Sequence, residues 1–306
     1  MAALSGLDWG CAIFARNEES RIGECIRSLA RAGEGMRVRA SVFVNGSSDR
    51  TAERATAELK KAGLHGDVYR IAAACKWNAM NAFIHELRPH AKMYAFVDAT
   101  AFIGASSLWG CASEFKNSPG TLVIGAVPSN GRSVSRMREV VFKSGGIGQF
   151  FAVRRELLEE LVARGRRIPI GLYRGDGLLT AFIVHETNDG IHREPMRRVG
   201  FTPAAEYSIR PLSPFSWHDI KVYYNRLVRQ ARGRVENQAW NSVIWSHGFD
   251  ALPRFGDELI LTWLKDNSPR DEGPLGNFFI WQALKHIRKW QKPREEDLMP
   301  VLIASI

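Results

Sequence analysis

The sequence predicts an α/β fold: a mostly parallel sheet flanked by helices, with a helical, tryptophan-rich C-terminal extension. Short apolar runs of strand length alternate with segments of helical spacing from Cys11 to Val97, the pattern of a sheet covered on both faces. The run Tyr94-Ala95-Phe96-Val97 ends abruptly on Asp98, and open α/β sheets bind their ligands where strands finish in this way. From Pro214 onward the chain changes character, and six of its nine tryptophans fall there.

The elements follow in order. Cys11–Ala15 reads as a strand, and Arg16-Asn17-Glu18-Glu19 as the polar loop after it. Ile22, Cys25, Ile26 and Leu29 recur at helical spacing, which predicts a core-facing helix over Ser20–Ala32. Val38–Val44 is a second strand, broken by Asn45-Gly46-Ser47-Ser48-Asp49. The next helix, Thr51–Ala62, is capped by Ser48 or Asp49. Asp67–Ala72 is a third strand, Lys76–Leu87 a helix stopped before Pro89, and Met93–Val97 the central strand. Beyond Asp98 come a helix over Ala105–Phe115, a strand over Thr121–Val127, and a loop over Ser129–Gly148. A strand over Gln149–Val153, a helix over Arg154–Ala163 and a helix over Leu178–Val184 complete this part. Composition divides the chain into residues 1–213 and a helical region, 214–306.

Bulk properties narrow the classes of function. A chain of 306 residues, 45% hydrophobic and 24% charged, carries enough apolar material for a large globular core. Its net charge of +10 favours anionic partners. The Lys and Arg residues are spread along the chain and form no basic tail, which points to a phosphate-bearing small molecule and not to nucleic acid. Neither a leader peptide nor a membrane-spanning run is legible. The four cysteines are far apart and form no Cys-x-x-Cys pair, which predicts free thiols and a cytoplasmic location.

Several motifs are excluded. His85-Glu86-Leu87-Arg88-Pro89-His90 misses the His-Glu-x-x-His zinc spacing by one residue and contains a proline. Ser144-Gly145-Gly146-Ile147-Gly148 lacks the strand-turn-helix context of a phosphate loop, and no Gly-x-Ser-x-Gly occurs.

The order of motifs resembles a family 2 glycosyltransferase of the Rossmann-like GT-A fold. The resemblance rests on Asn17-Glu18-Glu19 after the first strand, Val44-Asn45-Gly46-Ser47-Ser48-Asp49-Arg50-Thr51 after the second, and Lys76-Trp77-Asn78-Ala79-Met80-Asn81-Ala82 opening a helix. It continues through Asp98-Ala99-Thr100 in place of Asp-x-Asp, Phe151-Ala152-Val153-Arg154-Arg155, Gly175-Asp176 in place of Glu-Asp, and Asn225-Arg226-Leu227-Val228-Arg229-Gln230. It departs at Val44, Thr100 and Gly175, where the family carries acids, and at Gln230, where it carries Trp. The member is therefore divergent, with incomplete Asp-x-Asp and Glu-Asp motifs.

The resemblance implies an inverting transfer of a sugar from a nucleotide-diphosphate donor, a UDP-sugar, to a glycan, lipid-linked or small-molecule hydroxyl. It makes Asp176 the base, and places Arg16, Asn17, Glu18, Asn45, Lys76, Asp98 and Thr100 at the donor. Arg229 and Arg232 fall to the diphosphate or acceptor. Asp98 is the ligand of an Mg²⁺ or Mn²⁺ ion; where the ion is lacking, cationic side chains must neutralise the diphosphate instead. The missing acids leave open a second reading, a catalytically degenerate binding or scaffold protein of the same shape.

On residues alone, Asp176 also reads as a helix N-cap, Asn17 and Glu18 as caps of the next helix, and Asn45 as the turn residue that Asn-Gly predicts. Lys76, and the loop cations Arg132, Arg136 and Arg138, read equally as solvated charges, and His192 as a surface histidine or a late metal ligand. On a helix over Asp219–Val235, Ile220, Tyr223, Tyr224, Leu227, Val228 and Ala231 share one side, and Lys221, Arg226, Arg229 and Arg232 the other. Together with the basic cluster Lys285–Lys292, this allows peripheral contact with an anionic membrane, at its inner face, as well as ordinary core packing.

Overall fold

The computed structural model describes residues 6–130, 134–135, 139, 147–185, 198–210 and 217–306. They form two compact units: Met1–Arg166 with Thr180–Arg210 and Arg294–Ile306, and Arg167–Leu179 with Pro211–Pro293.

The first unit is built on a nine-stranded sheet. Its nucleus is four parallel strands in the order β4 (Ala91–Asp98), β1 (Leu7–Ala15), β2 (Val38–Asn45) and β3 (Gly66–Ile71). Helices α1 (Ile22–Ala32), α2 (Thr51–Ala62) and α3 (Lys76–Ala82) form the crossovers, and α3 continues as a π-helical turn, Phe83–Leu87. Two further helices of this unit are α4 (Ser107–Asn117) and α5 (Arg155–Ala163). Antiparallel strands extend both flanks. β7 (Phe150–Arg154) pairs with β4, and β6 (Val123–Pro128) with β7. β8 (Val199–Ile209) runs parallel to β6, with β5 (Ala101–Ile103) antiparallel at its edge. At the opposite edge β9 (Val301–Ser305) pairs antiparallel with β3.

The nuclear strands read as continuous apolar runs because both their faces are covered. Cys11, Ile13, Val42, Val44, Ala95 and Val97 point into the cluster shared with Ile22, Ile26 and Leu29 of α1. The alternate residues of the same strands build the other face as a row of aromatic rings. Tyr69 stacks on Phe43 at 5.1 Å, Phe43 on Phe14 at 5.8 Å, Phe14 on Phe96 at 6.3 Å, and Phe96 on Phe151 at 4.9 Å. Phe83 stands edge-on to Phe43, Tyr94 and Phe96. This row crosses five strands and fixes their register near the ends that carry the polar loops. Truncating its fully buried ring Phe43, by Phe43→Ala, is expected to cost about 3–5 kcal/mol in urea unfolding at unchanged m-value. A loss below about 1 kcal/mol, typical of surface positions, would show that the row is not core.

Three strands were not expected. β5 is too short to carry a period. β8 contains Pro203, which weakens a strand reading, and its alternation of buried and more open positions is broken by exposed Phe201 and Pro203. β9 lies in the region that composition marks as helical, yet it adds to the sheet, so Arg294–Ile306 belongs to the first unit and the boundary at 213/214 does not hold for the end of the chain. The four cysteines are free, with Cys11, Cys25 and Cys111 buried.

The second unit is helical. α6 (Gly175–His185) has its first turn here, followed by α7 (Trp217–His247), α8 (Gly256–Trp263) and α9 (Gly273–Ile287). The short helix α10 (Glu295–Leu298) belongs to the first unit. Val228, Ala231, Val235 and Ala239 of α7 are buried, as are Leu259 and Ile260 of α8 and Ile280, Ala283 and Ile287 of α9. The apolar side expected for 219–235 is thus divided: Val228 and Ala231 enter the core, whereas Ile220, Tyr223 and Tyr224 stay exposed. Among the described residues, no helix is long and apolar enough to cross a membrane.

Candidate functional site

The loops after β1 and β2 lie side by side because their strands are parallel neighbours, and they are laced together. Asn17 donates its backbone N–H to Ser47 Oγ (3.0 Å), and its side-chain oxygen accepts the Ser48 N–H (2.9 Å). Asn17 sits at φ +54°, a conformation Asn tolerates better than most residues. The Glu18 N–H donates to Thr51 Oγ1 (2.8 Å), and the Glu19 N–H to Asp49 (3.1 Å). Gly46, at φ +61°, makes the tight turn that Asn-Gly predicts; a Cβ there would stand 2.4 Å from the Ala74 side chain. Asn45 is buried at the end of β2.

Asn17 and Glu18 therefore have structural work in this fold. The Glu18 carbonyl accepts the N–H groups of Arg21 and Ile22 and so starts α1. Its carboxylate is buried against the Arg21 guanidinium at 2.5 Å. Burial raises its pKa, the Arg21 charge lowers it, and Asp49 and Asp98 raise it again. Arg16 is exposed on the same rim.

Asp98 ends β4. Its N–H donates to the Gln149 carbonyl (2.8 Å), and the next N–H, of Ala99, to the Phe14 carbonyl (2.9 Å), so the strand end is held from both sides. One oxygen of its carboxylate is ion-paired with the Lys76 ammonium. Lys76 is the first residue of α3, where the helix dipole disfavours a cation. The compensation is local: the ammonium lies over the Phe14 ring (5.8 Å) and the Trp77 ring (5.2 Å) and against Asp98. Both side chains stay about a quarter exposed (29% and 26%), so the pair is reachable from solvent. Thr100 follows in the turn into β5.

Hard divalent cations need several oxygen ligands. The protein groups here are one carboxylate, already shared with an ammonium, and one nearby threonine. Among the described residues no cluster of three His, Cys, Asp or Glu side chains could hold a metal. Among the described residues, the cation placed beside Asp98 is Lys76. Tyr207, on the unforeseen strand β8, also belongs to this neighbourhood. Burial pushes its pKa up to about 12, opposed by the Gln149 backbone N–H and helped by the Asp98 charge. The short alternation over Ala204–Ser208, past Pro203, was the one local signal for it.

In the second unit, Asp176 lies in the first turn of α6, half-buried, where one of its oxygens accepts the Gly177 N–H (3.0 Å). The segment leading into it is clamped by a buried carboxylate. Glu236 of α7 is fully buried and accepts the N–H groups of Tyr173 (2.8 Å) and Arg174 (2.9 Å). Arg232 balances that charge, pairing with Glu236 at 2.8 Å and with buried Asp257 at 3.0 Å, and it donates to the Gly171 carbonyl (2.8 Å). Burial raises the pKa of Asp257, and Arg232 lowers it. Gly171 is at φ +93°, and a Cβ on it would stand 2.9 Å from an Asp257 oxygen.

The resemblance placed Arg232 at the diphosphate or acceptor. In the fold it is the cation between two buried carboxylates, and it ties Gly171 to them. Arg229, one turn earlier, is exposed with its guanidinium over the Tyr173 ring (5.7 Å). Glu236 and Asp257 lay beyond sequence reasoning, because nothing local marks an acid as buried. Arg132, Arg136, Arg138 and His192 lie outside the described residues.

No family model matches the chain. No curated protein matches it either. Solved structures do. A mannosyltransferase from Pyrobaculum calidifontis, in complex with GDP-Man and Mn²⁺, superposes with a TM-score of 0.57 at 14% identity, over 94% of this chain and 71% of that one. TarS residues 1–349 from S. aureus give a TM-score of 0.51 at 12% identity, over 86% of this chain and 93% of that one. The same TarS fragment in complex with UDP-GlcNAc gives 0.50 at 14% identity, over 92% and 80%. The chain has the GT-A fold. On this GT-A sheet, Arg16, Asn17, Glu18, Asn45, Asp98 and Thr100 all lie at or just beyond the C-terminal ends of β1, β2 and β4, with Lys76 brought to Asp98 from α3. Asp176, Arg229 and Arg232 belong to the second unit.

Proposed function

We propose that this GT-A protein is an inverting glycosyltransferase of family 2 type, which moves a sugar from a nucleotide-diphosphate donor, a UDP-sugar, to an acceptor hydroxyl. The observation that carries the reading is the Lys76–Asp98 pair at the end of β4, an acid and a cation presented together where a GT-A sheet opens to ligands. Lys76 neutralises the departing diphosphate and Asp98 orients the donor ribose. Asp176 takes the proton as the acceptor oxygen attacks the anomeric carbon, and the bond from that carbon to the diphosphate breaks on the opposite side. Arg229 adds positive charge for the diphosphate or for an acidic acceptor.

Mg²⁺ and Mn²⁺ enter this reading only as companions of the donor's own phosphates, with Asp98 the described carboxylate that would meet them, and no step is routed through one. The acceptor is a glycan, a lipid-linked intermediate or a small molecule, and a place at the inner face of a membrane goes with the lipid-linked case. The division into a donor-binding part, 1–213, and an acceptor-side helical part, 214–306, is retained for function, with Arg294–Ile306 assigned to the first and Arg167–Leu179, which carries Asp176, to the second.

A second reading, a GT-A-shaped binding or scaffold protein without catalysis, draws on Val44, Thr100 and Gly175, where the resemblance expects acids. Titration calorimetry with UDP and UDP-sugars, with and without Mn²⁺, separates the two. The transferase reading expects saturable UDP binding in the micromolar to low-millimolar range and slow release of UDP from a UDP-sugar. Failure to bind any nucleotide at millimolar ligand supports the scaffold.

A further inference from the structure

In the second unit, α9 carries apolar side chains on two opposite faces. Ile280, Ala283 and Ile287 are buried. Leu275, Phe278 and Trp281 recur every three residues on the outer face and are 71%, 42% and 55% exposed. A helix in a water-exposed position needs only one apolar face, so the outer stripe asks for a second apolar environment. The stripe does not end at α9. Phe278 touches Phe279 and Trp281, with ring centroids 5.4 and 6.4 Å apart, and Phe279 meets Tyr224 of α7 at 5.9 Å. Tyr224, Tyr223 and Ile220 extend the exposed apolar surface along the first turns of α7.

Charge says what covers this surface. No Asp or Glu occurs from Gly273 to Arg294, or from Ile220 to Val235. Lys285, Arg288 and Lys289 are exposed towards the C-terminal end of α9, and Lys221 and Arg226 are exposed on α7. The Lys285 ammonium lies over the Trp281 ring at 5.5 Å, so its stem covers the aromatic while its charge reaches outward. Of the acids that flank these stretches, Asp271 and Glu272 are engaged with Asn277 and with Arg234, Glu236 is buried, and Glu295 lies in the first unit. Aromatic side chains rimmed by Lys and Arg, with no acid among them, match the boundary between lipid headgroups and acyl chains of an anionic bilayer. The interleaving of large exposed aromatics with the cations is what favours a bilayer boundary over a purely ionic partner.

We infer that the outer face of α9 and the first turns of α7 form an interfacial docking surface for an anionic membrane, with Leu275, Phe278 and Trp281 entering the headgroup layer and Lys285, Arg288 and Lys289 meeting lipid phosphates. The inference deepens the acceptor side of the proposed function and rests on that reading only for what the bound acceptor is.

The test is co-sedimentation of the full chain with phosphatidylcholine vesicles, with and without phosphatidylglycerol, at low and high salt. The expected result is binding to the phosphatidylglycerol vesicles alone, weakened by salt. Phe278→Ser with Trp281→Ser, and separately Lys285→Glu with Lys289→Glu, should each lower the partition coefficient at least about tenfold. Brominated lipid should quench the tryptophan fluorescence of the unmodified chain, which gives a readout that needs no variant to fold. Absence of both pelleting and quenching overturns the inference, as does equal binding to neutral vesicles. A lipid-free dimer that the Phe278→Ser/Trp281→Ser variant disperses, with no vesicle binding by the parent, overturns it in favour of a second copy of this chain. UDP affinity measured on the same variants should stay that of the parent, which keeps a failure of membrane docking distinct from a failure of the donor reading.

Discussion

Asp176→Asn is expected to lower turnover at least about a hundredfold while UDP affinity changes less than about threefold, because a positioned general base contributes about 10²–10⁴ to rate. The substitution is nearly isosteric. An amide oxygen can still accept the Gly177 N–H, so the first turn of α6 keeps its geometry, but the amide cannot take the acceptor proton. The surrounding structure also argues that the segment will stay in place. Its backbone is held by Glu236 at Tyr173 and Arg174, and Arg232 ties Gly171 to the same buried network, none of which passes through the Asp176 carboxylate. A fall in rate at unchanged UDP affinity and unchanged urea midpoint reports lost chemistry and not a displaced loop. Turnover is measured as UDP release from a UDP-sugar with acceptor present, and affinity by calorimetry. Near-parent turnover with intact nucleotide binding would leave Asp176 as an acid that merely suits a helix N-terminus.

The fold was readable wherever the chain obeys a single period. β1 to β4 and the helices between them follow from apolar runs and helical spacing, and the π-helical turn Phe83–Leu87 falls inside the helix expected over Lys76–Leu87. What escaped was set by distant partners. β8 breaks its own alternation with Pro203 and is a strand because β6 and β5 pair with it on either side. β9 is a strand because β3 has an open edge. The same division holds for the candidate site. Asp98 could be found because a strand of four apolar residues stops on it. Lys76 was one charge among many until folding laid it over Phe14 and against Asp98. The partners of Arg232 could not be read in sequence, because a guanidinium on a basic helix looks solvated there and Glu236 and Asp257 are buried four and twenty-five positions away.

Lys76→Met should produce the second large effect. Methionine keeps an unbranched apolar stem against Phe14 and Trp77 and removes only the charge. In the parent, that ammonium stands beside the carboxylate that would otherwise repel a diphosphate. Without it, UDP affinity in the presence of a chelator is expected to fall at least about tenfold, the equivalent of ~1.4 kcal/mol. The size is modest because both members of the pair are partly solvated, which screens them. The change also frees the Asp98 carboxylate. A hard divalent ion can then take that oxygen together with the donor phosphates, so Mn²⁺ should restore most of the lost affinity in the variant. In the parent, where Lys76 competes for the same oxygen, chelation should change UDP affinity less than about threefold. The measurement is UDP calorimetry on both proteins with EDTA and with Mn²⁺. The crossed pattern, metal dependence gained on loss of a lysine, is specific to a cation and an ion contending for one carboxylate. If the parent binds UDP only with Mn²⁺ and Lys76→Met changes nothing, Lys76 is a surface charge and Asp98 serves the donor without it.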